Sequence, residues 1–385
     1  MTLFEDTYMD KLDALYLAAI CATTGLGRAK LPELVQAMGS AKAVFEAEPE
    51  ALVATGLVTE AAAATFVSKR SKALPARLER YCDLQGVRLV SYQDGEYPKS
   101  LLQSSDPPLV LYVKGTLPTA AYCLAVVGSR ECTAYGKKAA KVFTKALASR
   151  GIPIISGGAR GIDTEAHEAC LSVGGQTVAV LGCGLDIAYP EENAGLFERI
   201  VRSGGAVISE YAPGTKPFAK NFPARNRIIV GLSQGVLVAE AKQKSGAIIT
   251  ANIAADEGRE VYCVPGNIFE STSAGCHELI RTGAKLVDKA EDILEDKLQW
   301  EFARKERITQ PSIFDFVNTV EEKAVPVATS ALGAKLLELL KVGSMPLEEL
   351  VEGSGADFAS VSMELLELQG AGLIAQNQAL RYYRR

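Results

Sequence analysis

Four short segments of this 385-residue chain carry the residue types that hold phosphate. The first is Val127-Gly128-Ser129-Arg130, placed after an apolar run. Gly128 lets a backbone come close to a ligand, Ser129 brings a hydroxyl, and Arg130 brings a rigid fork of donors that matches phosphate. The plain alternative is a surface arginine after an ordinary turn. The second segment is Ser156-Gly157-Gly158-Ala159-Arg160-Gly161-Ile162-Asp163. Glycines between a strand and a helix shape a nest of N–H donors at the helix start, which is a natural anion site. Asp163 or Thr164 would serve equally as the helix cap, and His167, one turn in, suits packing. The third runs from Lys216 through Phe218, Lys220, Asn221, Phe222 and Arg225 to Arg227, with four basic residues and no acid. Basic groups can track a phosphate backbone while the interleaved aromatics stack on unpaired bases; the alternative is a core Phe222 among solvated charges. Lys244-Ser245-Gly246 is the fourth, with an ammonium, a hydroxyl and a helix start.

Catalytic chemistry finds less support. Glu210 and Glu240 fall at strand ends, where paired carboxylates do acid–base work or hold Arg130 or Arg227 by ion pairing. No nucleophile stands out, and no catalytic residue is assigned. The two histidines, His167 and His277, are too few for a His-rich metal site; neither a metal nor a cofactor is expected. A dinucleotide fingerprint fails because Gly182-Cys183-Gly184 lacks its third glycine. A Walker loop fails because Gly136-Lys137-Lys138 lacks the upstream glycine and the closing Ser or Thr.

These segments need a scaffold that brings them together. Apolar runs at 123–127, 152–155, 177–181, 206–209, 236–239 and 261–264 read as strands, alternating with helical patterns near 134–149, 163–173, 194–203, 225–232 and 247–257. That alternation predicts an α/β fold: a Rossmann-like, doubly wound, mostly parallel sheet covered on both faces. Ligands bind such sheets beyond the carboxyl ends of the strands, where all four segments fall. Two further short strands are expected at 87–92 and 109–113. Residues 1–75 read as short helices joined by Gly turns (Thr24-Gly25-Leu26-Gly27 and Thr55-Gly56-Leu57-Val58), a SAM-like or helix-hairpin-helix module whose turns offer N–H groups to phosphate or simply pack. The Rossmann-like domain with its lead-in spans 76–288. The charged stretch 289–328 is expected as a solvated, partly helical linker. Residues 329–385 give three helices and a hairpin, a winged-helix pattern.

Composition narrows the classes. Hydrophobic residues make up 48% and charged residues 23%, ordinary for a globular chain and too apolar for a disordered one. The net charge of −5 excludes a protein basic all over, though not a local basic stripe. The eight cysteines form no C-x-x-C pair and suit a reducing compartment. No apolar run reaches the ~18 residues of a membrane span. The opening Met1-Thr2-Leu3-Phe4-Glu5-Asp6 lacks a signal-peptide pattern, so a cytoplasmic location is expected.

In their order along the chain the segments resemble the DNA-processing protein A family (DprA, also called Smf). The resemblance is carried by Val127 to Arg130, Ser156 to Asp163, and Gly182-Cys183-Gly184-Leu185-Asp186-Ile187-Ala188-Tyr189-Pro190. It continues through Asn221-Phe222-Pro223-Ala224-Arg225-Asn226-Arg227-Ile228-Ile229, Lys244 to Ala251, Pro265-Gly266-Asn267 and Gly275 to Ala284. It implies a cytoplasmic protein of natural transformation that binds incoming single-stranded DNA, shields it from nucleases, helps load the RecA recombinase, and forms a homodimer through the Rossmann-like domain. No catalytic activity or cofactor is implied. On this resemblance Gly128, Ser129 and Arg130 sit at a DNA phosphate, and Ser156, Gly157, Gly158 and Arg160 line the same pocket. Lys220, Asn221, Phe222, Arg225 and Arg227 belong to the basic DNA-contacting stretch, with Lys244, Ser245 and Gly246 nearby. His277, Leu279 and Ile280 fall near the dimer surface. One departure is Gly158, where many relatives carry a larger apolar residue; it alters the pocket wall.

Two rival readings come from other classes. A nucleotide-binding or phosphoribohydrolase-like enzyme would use Glu210 or Glu240 as acid or base. A winged-helix regulator would read duplex DNA, with Arg381, Arg384 and Arg385 the few basic residues at the end of its tail.

Overall fold

Leu124, Ala125, Val126 and Val127 are all buried, and they form an interior strand of a nine-stranded sheet. The structure is a computed structural model that describes residues 11–309, 330–341, 345–370, 373–376 and 381–384. In chain order the strands are β1 (Arg88–Ser91), β2 (Val110–Gly115), β3 (Leu124–Val127), β4 (Ile154–Ser156), β5 (Thr177–Val180), β6 (Ala206–Ser209), β7 (Gly235–Val238), β8 (Glu260–Cys263) and β9 (Lys285–Leu286). Their spatial order is β1-β2-β6-β5-β4-β3-β7-β8-β9. The run from β6 to β9 is parallel throughout. β2 pairs antiparallel with β6 and with β1, closing one edge. This is the expected doubly wound architecture, and the chain reverses its direction of travel between β3 and β7.

Alternation within β3 sorts the layers. Leu124 and Val126 face one side, with Ala140, Phe143 and Leu147 of helix Ala134–Ala148 and Ala166 and Cys170 of helix Ile162–Leu171. Ala125 and Val127 face the other, with Ile228 of helix Asn221–Gly231 and Ala247 and Ala251 of helix Gly246–Asp256. Strands covered on both faces read as continuous apolar runs, which is why these were legible. Helix Ala194–Arg202 covers Ala179, Leu181 and Val207.

Sequence periodicity did not mark helix Ala274–Arg281 or the two-residue β9. The stretch from 291 is helical (Glu291–Thr309), and Val287, Ala290 and Ile293 before and within its first turn are buried. Helix Asn221–Gly231 starts four residues ahead of the expected 225, with Pro223 in its first turn, where the missing N–H is harmless.

Residues Met1–Ala303 form one compact unit. Its N-terminal helices, from Lys11–Ala22 to Leu74–Gln85, share a core with the sheet. Gly25 in the first Gly turn has φ +128°, and a β-carbon there would lie 2.6 Å from the Phe66 backbone nitrogen. That turn faces protein. Residues Arg304–Arg385 form the second unit. Helices Ala331–Leu339, Leu347–Ser354 and Phe358–Gly370 enclose Leu336, Leu350, Val361 and Leu365, and strands Ile374–Gln376 and Tyr382–Arg384 pair as a hairpin. Met345 bridges to Tyr382, completing a winged-helix arrangement. Among the described residues no helix is long and apolar enough to cross a membrane.

Candidate nucleic-acid interface

The loops after β3, β4 and β5 and the start of helix Asn221–Gly231 meet at the carboxyl edge of the sheet. Together they make a pocket lined by Arg130, Gly157, Ala159, Arg160, Gly182, Tyr189, Pro190, Phe222 and Arg225. Tight approaches hold the loops in place. A β-carbon on Gly128 would lie 2.5 Å from Ile162 Cγ1 and 2.8 Å from the Glu240 carbonyl oxygen. Gly161, at φ +79°, leaves 2.3 Å between its own β-carbon position and the Ser129 carbonyl oxygen. The Ser129 N–H donates to the Glu240 carbonyl at 2.8 Å, and its hydroxyl accepts from the Glu131 N–H at 3.2 Å. Ser129 therefore shapes the turn that presents Arg130. Ser156 is also structural, donating from its buried hydroxyl to the Val126 carbonyl at 2.7 Å.

Arg130 is exposed and forms no ion pair among the described residues. Its guanidinium carbon lies 5.2 Å from the centroid of the half-buried Phe222 ring, within cation–π reach. Tyr189, 38% exposed, packs against the same ring at 5.4 Å with a 39° tilt. The sequence reading did not single out Tyr189, although the segment containing it carried the family resemblance; its partner lies on a distant element.

Arg225 forms the floor. Only 4% exposed, it donates through Nη1 to the carbonyls of Gly157, at 2.6 Å, and Val180. Burial pushes its guanidinium down to about 10, against the opposing pull of Asp163. Asp163, also buried, has its carboxyl raised by burial, with Arg225 countering. Gly157 sits between the two: a β-carbon there would lie 2.4 Å from Arg225 Nη2 and 2.7 Å from Asp163 Oδ2. Gly158, expected in the pocket wall, has φ +63° and lies outside the lining; a β-carbon on it would meet the Phe197 ring at 2.8 Å.

Helical geometry splits the basic stretch. Phe222 and Arg225, three apart, share a face and enter the pocket. Arg227 points elsewhere: it donates to Asp106 at 2.7 Å and Glu210 at 2.6 Å. Glu210 also accepts from Arg28 of the N-terminal helices at 2.5 Å, making a four-residue ion network. Lys220 is exposed just before the helix, and Asn221 is buried, donating to the Gly182 carbonyl at 3.0 Å. Arg160 lines the pocket rim but is held by Glu192 in a two-pronged pair. Lys244 is exposed with φ +58°, and Ser245 and Gly246 open helix Gly246–Asp256; the three lie outside the pocket lining.

Glu240 is 2% exposed and accepts from the Thr133 N–H at 3.0 Å and hydroxyl at 2.5 Å, at the start of helix Ala134–Ala148. His167 is fully buried with Nδ1 2.7 Å from the Thr177 hydroxyl, and burial drives it down to about 3. On helix Ala274–Arg281, Leu279 is buried, Ile280 is half-buried, and His277 Nε2 lies 3.1 Å from the Gly266 carbonyl. Among the described residues no cluster of His, Cys, Asp and Glu could hold a metal ion.

Residues 88–297 match the family model described as DNA recombination-mediator protein A. Protein Smf of Escherichia coli (strain K12) is 41% identical over 280 residues, covering 72% of this chain and 72% of that protein. DNA processing protein DprA of Streptococcus pneumoniae is 44% identical over 227 residues, 56% of this chain and 80% of that one. The X-ray structure of DprA from the same species covers 75% of this chain and 98% of its own, with a TM-score of 0.63 and 35% identity.

Proposed function

The chain belongs to the DNA recombination-mediator protein A family, and from that premise we propose that it is a single-strand DNA binder whose pocket holds one phosphate beside one unstacked base. The observation that carries this reading is Arg130: an exposed guanidinium without a carboxylate partner, set against the ring of Phe222. A phosphate fits the guanidinium fork. A base fits the Phe222–Tyr189 ledge, which offers a π-face with no demand on sequence. A duplex, with its bases stacked inside, cannot use the ledge.

Binding, rather than catalysis, is favoured by what the acids do. Glu240 is engaged by Thr133, and Glu210 lies between two arginines. Neither is left to act as the acid or base of a nucleotide hydrolase. We further assign to this protein the finer roles that the resemblance implies: protection of incoming DNA in natural transformation, loading of RecA, dimerisation through the region of His277, Leu279 and Ile280, and a cytoplasmic location. A dimer would present two pockets and gain affinity through effective concentration.

The test is fluorescence anisotropy of a labelled oligo-dT across salt, beside a matched duplex. Salt-dependent binding of the single strand, preferred over the duplex and lost in Arg130→Ala, is the expected result. Equal affinity for both forms would sink the proposal.

A further inference from the structure

Helix Ala134–Ala148 begins where the Arg130 loop ends, and its outer face is a row of lysines. From Thr133 through Arg150 the sequence holds five basic residues, Arg150 included, and no acid, in a chain whose net charge is −5. Lys138, Lys141 and Lys145 recur at i, i+3 and i+7 and so share one face, with Lys137 on its flank. They line one surface groove with Ala134 and Val142, the latter 57% exposed. Glu165 binds Lys141 at 3.0 Å and Lys137 at 3.6 Å. Glu165 belongs to the helix whose N-terminal loop supplies Gly157, Ala159 and Arg160 to the pocket. Lys138 and Lys145 are exposed and form no ion pair among the described residues.

We infer that this lysine row is a second phosphate track, which takes the strand onward from the Arg130 pocket. The inference rests on the single-strand reading above. Lys138 and Lys145 lie about 10 Å apart along the helix axis, at 1.5 Å per residue. That length faces two or three successive phosphates of an extended single strand. Flexible ammonium groups suit a track better than a pocket: they act as point charges with no demand on orientation. The exposed Val142 between them gives the sugar edge an apolar surface. The pocket sets where the strand starts, and the row sets how much of it is held.

The experiment compares two oligo-dT lengths, about six and about twenty nucleotides, chosen around the 4–16 nucleotide range of single-strand sites. The full chain is measured as wild type and as Lys138→Ala/Lys145→Ala, both exposed positions that leave the Glu165 pairs intact. We expect unchanged affinity for the short oligonucleotide, about ten-fold weaker binding of the long one, and a salt slope lower by about 1.4 for two lost contacts at ~0.7 each. An unchanged long-oligonucleotide affinity and slope would overturn the track and leave the row to an acidic protein partner. Equal weakening at both lengths would overturn it too, placing the lysines at the pocket. If wild type binds neither length, the single-strand reading itself fails, a result distinct from failure of the track.

Discussion

Arg225 donates to the carbonyl oxygen of Gly157 at 2.6 Å from an almost wholly buried position. The charge that looks offered to a ligand in the sequence is thus built into the pocket floor, while Arg130 above it stays open to solvent. The two arginines should behave differently on removal. Arg225→Ala leaves the Gly157 and Val180 carbonyls without their donor, at about 1.5–3 kcal/mol for each charged hydrogen bond lost. Urea denaturation should show that loss. Arg130→Ala should stay within ~0.5 kcal/mol of wild type, as exposed positions do, and lose oligo-dT affinity.

Phe222→Leu keeps an apolar side chain and removes the aromatic face between Arg130 and Tyr189. Loss of a base stack is worth about 1–3 kcal/mol, so titration of oligo-dT should show binding roughly ten-fold weaker. The urea midpoint should move little. A wild-type affinity in this variant would mean that no base stacks on the ring.

Arg227 and Glu210 are fastened to each other and to Arg28 and Asp106, and neither lines the pocket. Glu210→Gln removes the anion shared by two guanidinium groups and should destabilise the fold by about 3 kcal/mol. Oligo-dT affinity at temperatures well below the melting point should remain near wild type. Arg28→Ala, at the half-exposed end of the network, should cost under ~1 kcal/mol.

His167 gives a pH signature of known sign. The buried imidazole stays neutral in the folded chain down to about pH 3, whereas the unfolded chain takes up the proton near 6.5. The unfolded state therefore binds more protons between those values, and stability rises with pH across that window. The contribution is complete above ~6.5 and is lost as pH falls toward 3, with a slope of about 1.4 kcal/mol per pH unit. Denaturation of His167→Gln at a series of pH values should show a flatter profile; parallel profiles would mean that His167 does not titrate in this way.

Strands were the most legible part of the molecule, because burial on both faces left uninterrupted apolar runs such as Leu124–Val127 and Thr177–Val180. Where the pocket would form was also legible, since strand-end glycines at Gly128 and Gly157 mark places with no room for a side chain. The division of labour among the arginines was not. Arg225 and Arg227 are two residues apart on a helix and so point to different faces, one into the floor and one into the Glu210 network. A helix start at Asn221 had to be known first, and Pro223 hid it. Likewise the partners of Arg160 and Glu240 come from Glu192 and Thr133, on other elements, and only tertiary contact pairs them.

The pairing of β3 with β7 has a consequence for how the protein is made. Cys123 and Gln234, at the start of this pair, are 111 positions apart in the chain. At a synthesis rate of 5–20 residues per second, β3 waits on the order of ten seconds for its second neighbour. During that interval one of its edges carries unpaired N–H and C=O groups between apolar side chains, the feature that draws other chains into aggregates. Closure across so long a loop is also slow once the segment exists. The newborn chain is thus vulnerable at the very strand whose end carries Arg130 into the finished pocket.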